Sequence, residues 1–119
     1  MYIFGGVVDD YIENSLYKYD IQLNQWEEIN PKNLAEGIPG NRSGHVANMY
    51  LERYMMLHGG ENEEEHLNDL WLYDTQNNYW HECQQEGDIL SKRESHACCK
   101  VTDKFYFFGG EGPSFGLKK

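Results

Sequence analysis

Positive charge is scarce in this chain of 119 residues: 10 Lys and Arg stand against 20 Asp and Glu, for a formal charge of −10. A phosphate backbone is gripped by clustered Lys and Arg, so nucleic acid is not an expected partner. Long apolar runs are missing too. No window approaches ~18 consecutive apolar residues, so neither a helical membrane span nor a membrane partner is expected. Met1 to Asp10 lacks a basic region ahead of an apolar stretch, which argues against a secretory signal there. Cysteine is limited to Cys83, Cys98 and Cys99, an odd count without framework spacing. Such thiols suit a reducing compartment, and the expected location is cytoplasmic or nuclear. Leu, Ile, Val and Phe together make up only about a fifth of the chain, near the composition of disordered segments. Nine Tyr and three Trp oppose that reading, because each buries a large area for few rotatable bonds. A folded chain with an aromatic core is expected.

What is present is periodic. Residues 1–30 laid over 55–84 without a gap give 11 identities in 30, among them Gly5/Gly59, Gly6/Gly60, Tyr19/Tyr73, Asp20/Asp74 and Trp26/Trp80. Chance at ordinary composition would give about two. A second spacing relates Arg42-Ser43-Gly44-His45 to Arg93-Glu94-Ser95-His96, and Gly59-Gly60 to Gly109-Gly110. A unit of about 50 residues points to a propeller or a solenoid. Within one unit, four short apolar or aromatic runs are bounded by Gly, Asn and Asp: His45 to Leu51, Arg53 to Leu57, Asp69 to Tyr73, and Tyr79 to Cys83. None is long enough for a helix, so all read as strands. Phe105 to Phe108 shows no alternation, which predicts a strand buried on both faces. Four antiparallel strands per unit make a propeller blade.

An aromatic strand ending in Gly-Gly, then Asn-x-Leu-aromatic-x-Tyr-Asp, then a Trp six residues after that Asp, resembles the kelch repeat. The set occurs as Phe4-Gly5-Gly6, Asn14 to Asp20 and Trp26, and again as His58-Gly59-Gly60, Asn68 to Asp74 and Trp80. The resemblance implies an all-β fold of kelch-type β-propeller blades, each of four antiparallel strands, in an incomplete propeller. It divides the chain into strands b–d of one blade at 1–30, a complete blade at 42–84, strands a–b of the next at 93–110, and a tail at 111–119. A segment of a longer kelch protein is expected, with the remaining blades as its first partners. Trp26 and Trp80 are expected to fill the wedges between blades. His58 stands where an apolar aromatic is usual, which predicts a partly solvated strand end.

Arg42 and Arg93 open the innermost strands. The resemblance implies a channel-mouth position, where such arginines grip a partner's carboxylate with the guanidinium fork, Ser43 adding a hydroxyl. The other reading is that each Arg ties strand ends through backbone carbonyls. His45 and His96 recur with them and are expected to serve the scaffold. Glu61 to Glu65 is the densest charge run, and Asp9-Asp10 occupies the equivalent loop; Glu63 and Glu64 are candidate contacts for a basic partner. No metal is expected, because no four ligands fall at zinc spacing and no calcium loop is present. No cofactor is expected either. Without a nucleophile elbow, a phosphate loop or a zinc-protease helix, the chain reads as non-catalytic. The function implied is a protein-binding module, with ubiquitin-ligase substrate receptor as one form. The alternatives are an oxidase-like propeller whose chemistry lies in other blades, or a structural scaffold.

Overall fold

The computed structural model describes residues 1–35 and 37–113. Among the described residues nine strands follow one another: β1 (Tyr2–Val8), β2 (Tyr11–Asp20), β3 (Gln25–Ile29), β4 (Val46–Tyr50), β5 (Tyr54–Glu61), β6 (His66–Asp74), β7 (Tyr79–Glu82), β8 (Ala97–Val101) and β9 (Lys104–Phe108). They form sheets of three, four and two strands, each antiparallel and each ordered as in the sequence. Antiparallel sheets of this size are consistent with partial propeller blades. From the predicted tail, Glu111 bridges back to Glu94, while 114–119 lies outside the described residues.

Local chemistry explains the shared register. Asp74 begins the β6–β7 turn by accepting hydrogen bonds from the Gln76 and Asn77 amides on one carboxylate oxygen. Asn78 follows at φ 54°, an excursion that Asn tolerates, and its side-chain oxygen accepts from the Tyr73 hydroxyl at 2.7 Å. Asp20, Asn24 and Tyr19 repeat the device in the first blade. The turn sets Tyr73 opposite Trp80 and Tyr19 opposite Trp26. Arg53, from the β4–β5 turn, closes on Asp74 with two hydrogen bonds of 3.0 and 2.7 Å and holds that carboxyl well below the usual carboxylate range.

The Gly pairs lie within β1 and near the end of β5, each at a shift in register. At Gly60, φ is 95°, and a Cβ would stand 2.6 Å from the Ser43 carbonyl oxygen and 3.0 Å from His45 Cβ. The close approach lets the segment before β4 lie against the end of β5. Gly60→Ala therefore combines positive-φ strain with a backbone clash. A loss of about 1–3 kcal/mol from the dihedral strain alone is expected, read as a lower midpoint in urea unfolding.

The core lies between the first two sheets and consists of Phe4, Leu16, Met55, Leu57, Trp71, Tyr73 and Trp80. Trp80 is its centre, with Tyr73 at 5.1 Å, Phe4 edge-on at 5.2 Å and Trp71 at 6.3 Å. The connection from β3 to β4 reinforces it: the Asn33 side chain donates to the Trp80 carbonyl at 2.7 Å and accepts from the Trp80 amide at 3.0 Å. Lys32 and Asn30 bond to Asn78 alongside.

Three expectations need correction. Trp26 is 54% exposed and does not fill a wedge: its ring packs on Tyr19 of its own sheet at 4.7 Å, and among the described residues no other sheet covers it. The strand at Phe105 to Phe108 is not buried on both faces: Tyr106 and Phe108 are exposed, because among the described residues no sheet packs on the face they present. His58 is buried rather than partly solvated, because the third sheet closes over it.

Candidate functional site

The predicted partner-binding residues gather at one end of the sheets, where the β1–β2 and β5–β6 loops meet the segments leading into β4 and β8. Ser43 pairs with Glu61 through two backbone hydrogen bonds, and Glu94 pairs with Glu111 in the same way. Asn41 donates to the Ile12 carbonyl and to the Glu63 carboxylate, which joins the first sheet to the acidic loop. Lys92 reaches Glu65 at 2.8 Å.

The two arginines differ. Arg42 is 1% exposed. Its guanidinium donates to the Gly40 and Gly59 carbonyls and to both oxygens of Asp69, at 2.6 and 2.8 Å. Burial alone would raise Asp69, but hydrogen bonds from Arg42 and from the Trp71 indole keep its carboxyl below the ordinary value. With four of its five N–H groups committed and almost no exposure, Arg42 is not presented to a partner's carboxylate, so the strand-tying reading fits it and the pocket reading does not. Arg93 makes the matching backbone contacts, to the Ser91 and Gly109 carbonyls, and a third to the Ser91 hydroxyl. Among the described residues no carboxylate pairs with it, and it keeps slightly more exposure than Arg42.

Glu63, Glu64 and Glu65 are exposed. The Asn62 side chain accepts from the Glu64 and Glu65 amides, which fixes the loop as a tight turn and directs successive carboxylates outward. Asp9, Asp10 and Glu94 add negative charge at the same end. There, Arg42 is paired within the blade and Lys92 is paired with Glu65, so the end is net acidic.

His45 and His96 insert against the Gly pairs of the preceding sheets. Burial pushes His45 down to about 4, with Arg42 adding to the shift. No three His, Cys, Asp or Glu converge among the described residues. Cys83 and Cys98 are free thiols pushed up by burial, which favours the protonated form.

Asp69 and Asn33 escaped the sequence reading. Asp69 carries one signal, since it directly precedes the Leu-aromatic run that holds Trp71. Asn33 lies in an irregular connection whose only cue is composition.

Residues 1–110 match the KLHDC2/KLHL20/DRC7 Kelch-repeats domain. The chain belongs to the kelch-repeat family. This kelch chain is 33% identical over 119 residues to the acyl-CoA-binding domain-containing protein 5 of Arabidopsis thaliana, covering 98% of this chain and 18% of that protein. It is 31% identical over 116 residues to the leucine-zipper-like transcriptional regulator 1 homolog of Drosophila melanogaster, covering 92% and 12%. With the human Kelch domain-containing protein 10 it shares 25% identity over 115 residues, covering 92% and 26%. The kelch chain thus spans between about an eighth and a quarter of these relatives. Kelch repeats generally mediate protein–protein contacts.

Proposed function

We propose that this kelch section is a non-catalytic protein-binding module whose acidic end receives a Lys/Arg-rich peptide or protein segment. The observation that carries this is the contrast at that end: Arg42 is buried in its pair with Asp69, whereas Glu63 and Glu64 project into solvent. Exposed like charges steer an oppositely charged partner and set its orientation, with strong dependence on salt. A substrate receptor of a ubiquitin ligase is the form we favour within this class, on the analogy of kelch receptors. A cytoplasmic or nuclear setting accords with it.

A Lys/Arg-rich peptide titrated onto the chain tests the reading. Binding should weaken as salt rises and should fall at least tenfold in the Glu63→Lys/Glu64→Lys variant, read by fluorescence anisotropy. Equal binding by that variant and the parent overturns the acidic-end assignment.

A further inference from the structure

The two junctions between neighbouring sheets place a ring in the same position, but the rings differ. Where the first sheet meets the second, Phe4 receives the edge of His45, with ring centroids 5.9 Å apart and planes at 77°. Where the second meets the third, His58 replaces the phenyl ring and receives His96 in the same edge-on manner, at 5.2 Å and 81°. The substitution adds a hydrogen bond: His58 Nδ1 lies 3.0 Å from His96 Nε2. Phe107 of β9 covers both rings, tilted on His58 at 5.0 Å and stacked on His96 at 6.1 Å. His58 is 2% exposed and His96 7%. The outer nitrogens, His58 Nε2 and His96 Nδ1, are buried with no partner among the described residues.

This arrangement suits two neutral rings, one donating and the other accepting. An added proton places charge in a closed aromatic box and an N–H on a nitrogen that faces no acceptor. A second proton sets two N–H groups against each other and abolishes the shared bond. We infer that the His58–His96 pair is a proton-sensitive latch between the second and third sheets, closed while both rings are neutral and released by acid.

The surrounding charges act in both directions. From β6, Asp69 favours a charged His58, but its carboxylate is already held by Arg42 and the Trp71 indole. From the segments before β4 and β8, Arg42 and Arg93 oppose it. Glu94 favours a charged His96, which Arg93 opposes. β9 contributes Phe107 and no charge to the pair. Burial outweighs the two carboxylates, and His58 is lowered from 6.5 to about 4, with His96 shifted the same way.

The sign follows directly. A histidine whose folded value lies below its unfolded value leaves the junction intact above 6.5 and weakens it as pH falls toward 4. For His58 alone, the equilibrium for opening the junction rises about 30-fold between about pH 7.5 and about pH 5. Opening breaks the backbone hydrogen bonds across the junction, from the Gly60 amide to the Arg93 carbonyl at 2.9 Å and from the Ser95 amide to the Gly44 carbonyl at 2.8 Å.

Amide hydrogen exchange on the full chain reads this out at Gly60 and Ser95. Between about pH 7.5 and about pH 5, protection in the parent should fall about 30-fold more than in His58→Phe, which restores the ring type of the first junction. His45 remains in both proteins, so its titration cancels in the comparison. An equal fall in both overturns the latch. Should His58→Phe not fold, an NMR titration of the parent's imidazole protons decides. Both rings staying neutral down to about pH 5 while junction protection falls across the same range supports the latch. Titration near 6.5 with unchanged protection overturns it.

Discussion

Replacing Arg42 by Met is expected to destabilise the chain by about 3 kcal/mol in urea unfolding at neutral pH. Removing one partner of a buried ion pair costs about 3–5 kcal/mol in general, because the remaining charge is left uncompensated. The lower end applies, since the Asp69 side chain keeps 25% of its exposure and water screens the orphaned carboxylate. The Gly40 and Gly59 carbonyls lose donors at the same time. Adding Asp69→Leu should recover part of the loss by removing the unpaired charge, but not those two hydrogen bonds. The pair also fixes a pH dependence. Asp69 titrates below its unfolded value, so its contribution is present above about 3.8 and is lost as pH falls through the folded value. Arg42→Met should flatten that acid limb.

Trp80→Ala is the second large effect, with an expected loss of about 3–5 kcal/mol. Trp80 is 1% exposed and contacts Phe4, Tyr73 and Trp71, so its removal opens a cavity at the junction of two sheets. The motif-equivalent Trp26→Ala should cost under about 1 kcal/mol, because Trp26 is already 54% exposed. Thermal unfolding of the two variants side by side checks both figures. A similar loss at the two sites would mean that Trp26 is covered in solution.

That pair of tryptophans shows what could be read from the chain alone. Strand existence, order and pairing follow from local chemistry: Gly pairs, Asp–Asn turns and aromatic runs specify each blade without reference to its neighbours. Burial is a property of the neighbour, so identical motif residues diverge when only one of them has a sheet to face. Phe108 and Tyr106 diverge from expectation for the same reason. His58 departs in the opposite direction: a polar residue at an apolar position reads as solvated, but His96, 38 residues away, meets and buries it. The motif marks Arg42, but its role turns on Asp69, 27 residues on, whose position relative to the guanidinium depends on how β5 and β6 pair. Glu63 and Glu64 required no such information, because a solvated loop needs only its own turn.

The Asn33 clasp on Trp80 bears on self-association. By donating to the Trp80 carbonyl and accepting from its amide, the Asn33 side chain presents the hydrogen-bonding groups of a peptide unit in the place of a neighbouring strand. With Asn30 and Lys32 bonded to Asn78, the crossing segment seals the outer margin of the four-stranded sheet. Exposed β-margins are templates for cross-β growth. At Trp80 the outer margin of β7 is therefore occupied, and strand addition from another molecule at that point would have to displace Asn33.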